Sequence, residues 1–262
     1  MINRIWAIAL NTFREAARIR VLYGIVILVV LVNLVTIVAG KLSVHEETRV
    51  TQDFGVAATS LFGSITAIVL GVMLLYSEVS RRTIHAIVSK PIARAEFVVG
   101  KYLGMLIILT VLVAGFAAAM GLMLLLQGEG ATMAIAKALV LVWLEVAVVA
   151  AIAIFFSSFS TPFLSGIFAL AMWLLGRWTP AIEDATRDGS PVIKVVSRIA
   201  LEVVPDLHLF GITGQEVDGA TVSVHSDFVS WGYVGMSAGH AVGWIVALVA
   251  FACVLFHRRD FA

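Results

Sequence analysis

The dipeptide Gly100-Lys101 is the first place where residue types suggest chemistry, because Gly-Lys stands near the end of the phosphate-binding loop of many ATPases. That loop also needs a glycine five positions before its Gly-Lys pair and a Ser or Thr directly after the pair. The chain has Ala95 and Tyr102 at those positions. We therefore expect no ATP site at this dipeptide.

Two further catalytic patterns are also incomplete. His45-Glu46 begins a zinc-protease motif, but Arg49 occupies the position of the second histidine ligand. Three serines lie close together with no neighbouring His or Asp to activate a nucleophile: Ser157, Ser158 and Ser160. The sequence therefore predicts no catalytic residue, no metal site and no cofactor on this chain.

Glu145 is the ionisable residue that lies deepest within a long apolar run. A carboxylate inside a membrane is costly and usually faces a helix bundle or a water-filled cavity. One interpretation is an intramembrane polar site that contacts a proton or a substrate. The other, which we favour, is a structural carboxylate bonded to a neighbouring helix or across a dimer interface.

The segment 78–104, EVSRRTIHAIVSKPIARAEFVVGKYLG, is a polar interval dense in positive charge between two apolar runs. Its apolar residues recur at near-helical spacing, and Pro91 interrupts the pattern. We predict a short amphipathic helix, a proline turn and the start of a second helix. At a membrane surface, such a segment offers an apolar and basic face to a soluble partner.

Composition predicts that membrane helices carry these residues. The chain has 262 residues, 61% of them hydrophobic and 13% charged, whereas soluble domains carry roughly 25% charged residues. Its net charge of +1 gives no electrostatic basis for binding nucleic acid. We predict an all-α, polytopic membrane protein forming one transmembrane domain, 1–262, with six spans at about 21–39, 54–77, 102–126, 134–156, 160–176 and 231–256.

Residues 2–19 precede the first predicted span. Apolar residues repeat there at spacings of three and four, with basic residues on the other side, which predicts an amphipathic helix in the membrane interface. The alternative is that this segment extends the first span. In the second span, Gly63, Ala67 and Gly71 are four residues apart, a ridge that lets another helix approach closely.

The distribution of positive charge predicts the orientation. Eleven of the 18 Lys and Arg residues lie in segments that are cytoplasmic if both termini are cytoplasmic. The interval 177–230 is then extracytoplasmic, and its excess of acidic residues suits the outer face of the membrane. Within it, residues 192–204 are predicted to form an amphipathic helix on or in the outer leaflet, followed by a loop with a short hairpin.

The segment 78–104 resembles the loop after the second span in ABC exporter permeases of the type-2 class. The matching positions are Glu78, Thr83, Ser89-Lys90-Pro91, Arg94 and Gly100-Lys101-Tyr102-Leu103-Gly104. Arg82 departs from the family, which often has glycine there. The C-terminal segment FHRRDF (256–261) is also similar to the ending of these permeases, and LEVVPDLHLF (201–210) resembles a family element before the last span. The resemblance therefore covers essentially the whole chain.

The resemblance implies a permease that dimerises, with an identical or closely related copy, in the bacterial cytoplasmic (inner) membrane and exports its substrate. Separate ATPase subunits would bind ATP and Mg and dock on the cytoplasmic side. The implied ATPase-coupling residues lie in the loop after span two and the connection after span four: Glu78, Arg81, Arg82, Thr83, Pro91, Arg94, Ser158 and Ser160. Alternatively, the loop charges only anchor the loop to lipid headgroups.

Two other functions stay open at this point. One is an ATPase-independent secondary transporter or channel that uses Glu145 as a proton site. The other is a membrane anchor or assembly subunit that recruits an extracytoplasmic partner through residues 177–230. The apolar spans favour lipidic, amphipathic or peptide-like cargo over small ions.

Overall fold

The computed structural model describes residues 2–19, 47–80, 93–126, 132–187, 190–211, 215–217, 220–222 and 229–258, with the pairs 23–24, 26–27 and 31–32. Within these ranges the chain is helical apart from one short hairpin. The elements are α1 (Ile2–Ala16), α2 (Glu47–Ser80), α3 (Arg94–Leu126), α4 (Met133–Phe159), α5 (Pro162–Arg177), α6 (Thr179–Arg187), α7 (Pro191–Val203), a 3-10 turn (His208–Phe210), β1 (Gln215–Val217), β2 (Ala220–Val222) and α8 (Trp231–Arg258).

Four of these helices are long and apolar enough to cross a membrane, which confirms the helical, multi-pass architecture. The candidate spans are Gln52–Leu74, Arg94–Leu125, Met133–Phe159 and Trp231–His257. They coincide with the second, third, fourth and sixth predicted spans. The first predicted span, 21–39, lies largely outside the described residues. The fifth, 160–176, corresponds to α5, whose 16 residues extend about 24 Å against a hydrocarbon core of about 30 Å.

α2 and α4 run parallel and pack along the predicted ridge of small residues. A Cβ atom added to Gly63 would lie 2.8 Å from Val146 Cγ2, and one added to Gly71 would lie 2.5 Å from the Cβ atom of Ala153. Ala67, between the two glycines, is fully buried. Only residues without a larger side chain allow this approach, so the predicted role of the ridge is confirmed.

α4 is the central helix of the described bundle, since every residue from 144 to 154 is buried. α3 runs antiparallel to it. The Tyr102 hydroxyl donates to the Ala147 carbonyl at 3.2 Å, and Trp143 Nε1 donates to Thr110 Oγ1 at 2.9 Å. The start of α3 therefore lies at the same end of the bundle as the end of α4.

α1 is a separate amphipathic helix that packs against the first turns of α3. It ends at Ala16 and a turn follows, so it does not continue into the next apolar run. Ala9 and Thr12 are fully buried on its inner side, whereas Ile2 and Trp6 are exposed on its outer side. The amphipathic pattern thus predicts this element better than the alternative of a longer first span.

The chain turns back into the bundle after α5. The Leu207 amide donates to the Gly176 carbonyl at 2.9 Å, and the Pro205 carbonyl is so close that Gly176 has no room for a Cβ atom. Leu207 and Phe210 are buried. α6 and α7 therefore form a helical hairpin whose two ends meet at Gly176, and part of the interval 177–230 lies within the bundle.

Residues 215–222 form the short hairpin that the sequence predicts for this interval. β1 and β2 pair antiparallel, with Gln215 opposite Val222 and Val217 opposite Ala220. Asp218-Gly219, a pair common in hairpin turns, separates the two strands in the sequence.

Candidate functional site

Four helix ends meet at one end of the bundle, which we call the shared end: the end of α2, the start of α3, the α4–α5 connection and the end of α8. Lys101 of α3 donates to the Leu74 carbonyl of α2 at 3.3 Å. Phe97 of α3 stacks on Phe256 of α8, with 5.7 Å between ring centroids. Since α3 and α4 are antiparallel, the α4–α5 connection is at this end too.

Four of the predicted ATPase-coupling residues lie in the segments that form the shared end: Glu78, Arg94, Ser158 and Ser160. Glu78 lies in the last turn of α2, where the structure describes the backbone only. Arg81, Arg82, Thr83 and Pro91 lie outside the described residues. Three members of the set have described side chains: Arg94, Ser158 and Ser160.

Arg94 joins the start of α3 to the end of α8. Its guanidinium donates to the His257 carbonyl at 2.8 Å and to the Phe256 carbonyl at 3.5 Å. A cation at a helix C-terminus is favourable because the last carbonyls have no partner within the helix and carry partial negative charge. Arg94 therefore links the first turn of α3 to the last turn of α8. The coupling role of Arg94 stays a prediction.

The connection between α4 and α5 presents aromatic residues and not the serines. Ser158 is fully buried, and its hydroxyl donates to the Phe155 carbonyl at 2.7 Å. Ser160 caps α4 through its backbone N–H, which donates to the Phe156 carbonyl at 3.0 Å. Phe163, in contrast, is 77% exposed. The family resemblance implies Ser158 and Ser160 as ATPase-coupling residues, and that role stays a prediction. The exposed phenylalanines beside them were not singled out from the sequence.

Gly100-Lys101-Tyr102-Leu103-Gly104 lies within α3 and serves helix packing. A Cβ atom on Gly100 would lie 2.7 Å from Ile8 Cγ2, and one on Gly104 would lie 2.5 Å from the Ala9 carbonyl oxygen. The two glycines therefore form a seat for the backbone of α1. This explains the motif by geometry, without a phosphate.

Lys101, beside Gly100, joins α1 and α2 to α3. Its side chain is 2% exposed, and its Nζ lies 3.1 Å from Glu15 Oε2 of α1 as well as 3.3 Å from the Leu74 carbonyl. Charge-assisted contacts of this kind contribute about 1.5–3 kcal/mol each. The shared end is thus a set of helices joined by cations.

Glu145 is the centre of a polar cluster inside the bundle, formed by Ser60, Glu145, Trp173 and Arg177. Its Oε2 accepts from the Ser60 hydroxyl at 2.7 Å. Its Oε1 accepts from Trp173 Nε1 at 3.2 Å and from the Arg177 guanidinium at 2.7 Å. Arg177 also donates to Ser60 Oγ at 2.9 Å. The cluster therefore joins α2, α4 and α5.

These contacts are the ones that the structural interpretation of Glu145 predicts. Glu145 is fully buried, whereas the Arg177 side chain is 29% exposed. Burying the pair costs desolvation energy, but removing one partner alone leaves an uncompensated charge, which costs about 3–5 kcal/mol. Whether Glu145 also contacts a substrate stays a prediction.

Sequence reasoning did not pair Arg177 with Glu145, although helix lengths contained the signal. Arg177 is 15 residues after Pro162, at the start of α5, and Glu145 is 14 residues before Phe159, at the end of α4. Because the two helices are antiparallel across a short connection, these positions lie at the same depth.

His208 lies beside this cluster, in the segment that returns to the bundle. Burial lowers the pKa of His208 below its ordinary value of 6.5; the charge of Arg177 also lowers it, and the Asp206 carboxylate opposes both. The neutral imidazole is therefore favoured next to Arg177. Among the described residues, no group of three or more His, Cys, Asp or Glu is arranged to hold a metal ion.

The comparisons with known proteins agree with the architecture. No curated protein matches the chain significantly. The sequence profile of the ABC-2 family transporter proteins matches residues 6–261, nearly the whole length. Members of this family are membrane subunits of transporters and are not themselves the catalytic subunits. This chain therefore belongs to the ABC-2 transporter family and is an integral, multi-pass permease of an ABC transporter.

Proposed function

We propose that this permease is one half of the translocation pathway of an ATP-driven exporter, working as a dimer with two separate ATPase subunits. ATP and Mg would bind on those subunits. The observation that carries the proposal is the shared end, where the α4–α5 connection and the start of α3 come together. Both are segments that the family resemblance implies as ATPase contacts.

The membrane placement follows from charge and length. Six spans, with both termini in the cytoplasm of a bacterial cell, would place the shared end at the cytoplasmic face of the inner membrane. Residues 21–39 would supply the first span, and α5 the short fifth one. α1 would lie in the interface, since Arg14 and Arg18 are exposed on it.

The contacts within the shared end suggest how a motion of the ATPase subunits would reach the helices of the permease. An ATPase that binds residues 78–94 and the α4–α5 connection would move α3, and Arg94 and Lys101 would carry α8, α1 and α2 with it. The Glu145–Arg177 pair would transmit the motion from α4 to α5, and from there to α6 and α7. Rigid-body motion of joined helices is a common mode of switching.

The substrate class follows from the character of the spans. The apolar spans favour lipidic, amphipathic or peptide-like cargo, and outward transport follows from the family resemblance. The geometry does not favour a proton site at Glu145, because the carboxylate is fully buried and ion-paired with Arg177.

Charge reversal in the loop after α2 tests the coupling. The chain would be purified in mild detergent from its native membrane, and co-purifying proteins would be identified by mass spectrometry. We expect a soluble protein with a complete nucleotide-binding motif, near one per permease. The variant Arg81→Glu/Arg82→Glu should insert normally but lose most of that protein, while the control Arg14→Glu should keep it.

Recovery of the permease without any ATPase, even after cross-linking at residues 78–94, would contradict the proposal. Unchanged association of the charge-reversal variant would remove Arg81 and Arg82 from the coupling surface. It would leave the α4–α5 connection to be tested next, through Phe163.

A further inference from the structure

The helical hairpin formed by α6 and α7 borders an open cavity lined mainly by polar side chains. Its volume is about 530 Å³, within the range of small-molecule binding sites. Both helices contribute one face, at spacings of three and four residues. The lining residues are Thr179, Glu183, Thr186 and Arg187 of α6, Lys194, Ser197, Leu201 and Glu202 of α7, and Asp206.

The outer surface of α7 is apolar, although its inner face is polar. Val192 is 71% exposed and Val203 is 64% exposed, and Val195 is exposed between them. A hairpin in water would place these side chains inside, because each exposed valine forgoes about 1.5–3 kcal/mol of burial energy. This inverted arrangement suits a hairpin that is surrounded by lipid.

The position of the hairpin formed by α6 and α7 is consistent with lipid around it. Its two ends meet at Gly176, where the Leu207 amide binds the Gly176 carbonyl. The adjacent Arg177 binds Glu145, which is 12 residues from the start of α4 at Met133. That separation corresponds to about 18 Å along the helix. The base of the hairpin therefore lies beside the middle of α4, a candidate membrane span, and the exposed valines of α7 suit contact with lipid.

The charges inside the cavity do not neutralise one another. Arg187 and Lys194 are basic, and Glu183 and Glu202 are acidic, yet among the described residues no salt bridge joins any of these four. Asp206 accepts from the His208 amide at 3.1 Å. The cavity therefore offers separate positive and negative groups to a guest.

From this arrangement we infer that the cavity binds the zwitterionic headgroup of a phospholipid, whose acyl chains stay in the surrounding bilayer. Arg187 and Lys194 would bind the phosphate, since both residue types recognise phosphate oxygens. Glu183 and Glu202 would bind the ammonium group. The inference concerns the hairpin alone, so it holds whether or not an ATPase drives the permease.

Lipid retention by the purified full-length chain tests the inference. The chain would be exchanged into micelles containing equal amounts of phosphatidylethanolamine and phosphatidylglycerol, and bound lipid counted by native mass spectrometry. We expect about one phosphatidylethanolamine per chain, preferred over phosphatidylglycerol about tenfold, as one additional charge-assisted contact provides.

Single substitutions test the contacts to the phosphate and to the ammonium group separately. Lys194→Gln should lower retention of both lipids, because both carry the phosphate. Glu202→Gln should lower retention of phosphatidylethanolamine only, and Glu183→Gln provides a second variant of that type. Asp184→Asn is the matched control, since Asp184 is exposed on α6 but does not line the cavity. All four side chains are exposed, so we expect elution profiles like that of the wild type.

Equal retention of the two lipids by the wild type, with no effect of Glu202→Gln or Glu183→Gln, would overturn the inference. Displacement of the bound lipid by soluble phosphoethanolamine would support it. Binding of phosphoethanolamine with no retained lipid would overturn the assignment to a membrane lipid.

Discussion

The two ends of the bundle use basic residues in opposite ways. At the shared end, Arg94 and Lys101 bind carbonyl and carboxylate groups of neighbouring helices. We call α6 and α7 the hairpin end. There, Arg187 and Lys194 line a cavity and form no salt bridge among the described residues. The same residue types therefore join helices at one end and leave space between them at the other.

This difference suggests which end drives and which end responds. Helices that are joined by charge-assisted contacts move as a unit, whereas a hairpin around a polar cavity can change shape without breaking such contacts. The Glu145–Arg177 pair lies between the two ends, at the junction of α5 and the hairpin.

The close packing of α2 on α4 should be the least tolerant part of the molecule. Gly71→Leu would place atoms where Ala153 lies, and overpacking of this kind costs about 1–3 kcal/mol or more. We expect a several-fold loss of monodisperse protein in size-exclusion chromatography. Gly121→Leu in α3 is the control, because a Cβ atom there meets nothing within 4 Å; equal losses for both variants would contradict the packing argument.

Removal of Arg177 should be the next largest effect. Arg177→Gln leaves the fully buried Glu145 without its counter-ion, and the expected loss is about 3–5 kcal/mol in thermal unfolding. Glu145→Gln should cost less because Arg177 is partly exposed. The double variant should recover part of the stability lost in Arg177→Gln; no recovery would show that the two side chains act independently.

The contact between Arg94 and α8 should have a smaller and more local effect. Arg94→Gln removes the bonds to the last carbonyls of α8, worth about 1 kcal/mol for an exposed pair. Amide hydrogen exchange should become faster in the last turn of α8 but not in α1. Arg18→Gln, an exposed arginine beside α1, is the control. Unchanged exchange in α8 would remove Arg94 from the set of joining cations.

The smallest effect concerns His208, which lies beside Arg177 in the segment that returns to the bundle after α7. Its pKa is lowered in the folded chain, so the unfolded chain takes up the proton first as the pH falls. Stability should therefore be unaffected above pH 6.5 and should decrease as the pH falls below that value, until the folded form is protonated as well. His208→Gln should have a flatter thermal-stability profile between pH 7 and 5; identical profiles would contradict the assignment.

Periodicity and hydropathy were sufficient to predict the long helices. The runs around Gly63 and Glu145 are long and predominantly apolar, which identifies them as candidate membrane spans. The role of Gly63 and Gly71 followed from their spacing, because residues four apart share one helix face. α1 followed from its two-sided pattern.

The partners of charged residues were not predictable in the same way. Arg94 is 163 residues from His257, and Arg177 is 32 residues from Glu145, so neither pair has a local signature. The resemblance implies Ser158 as an ATPase-coupling residue but does not indicate that its side chain is buried in the bundle. Such contacts depend on helix depth and rotation, which are set by packing and not by local sequence.

A distance measurement in the complex isolated with its ATPase tests the central claim that the shared end drives and the hairpin end responds. One sample would carry spin labels at Ile2 of α1 and His257 of α8, which report on the shared end. Another would carry them at Met133, the first residue of α4, and Asp184 of α6, which report on the hairpin end relative to the bundle, with Cys253→Ser in both. On ATP trapping, we predict a clear change in the Met133–Asp184 distance and a smaller change in the Ile2–His257 distance. A shared end that rearranges while the Met133–Asp184 distance stays constant would contradict the account.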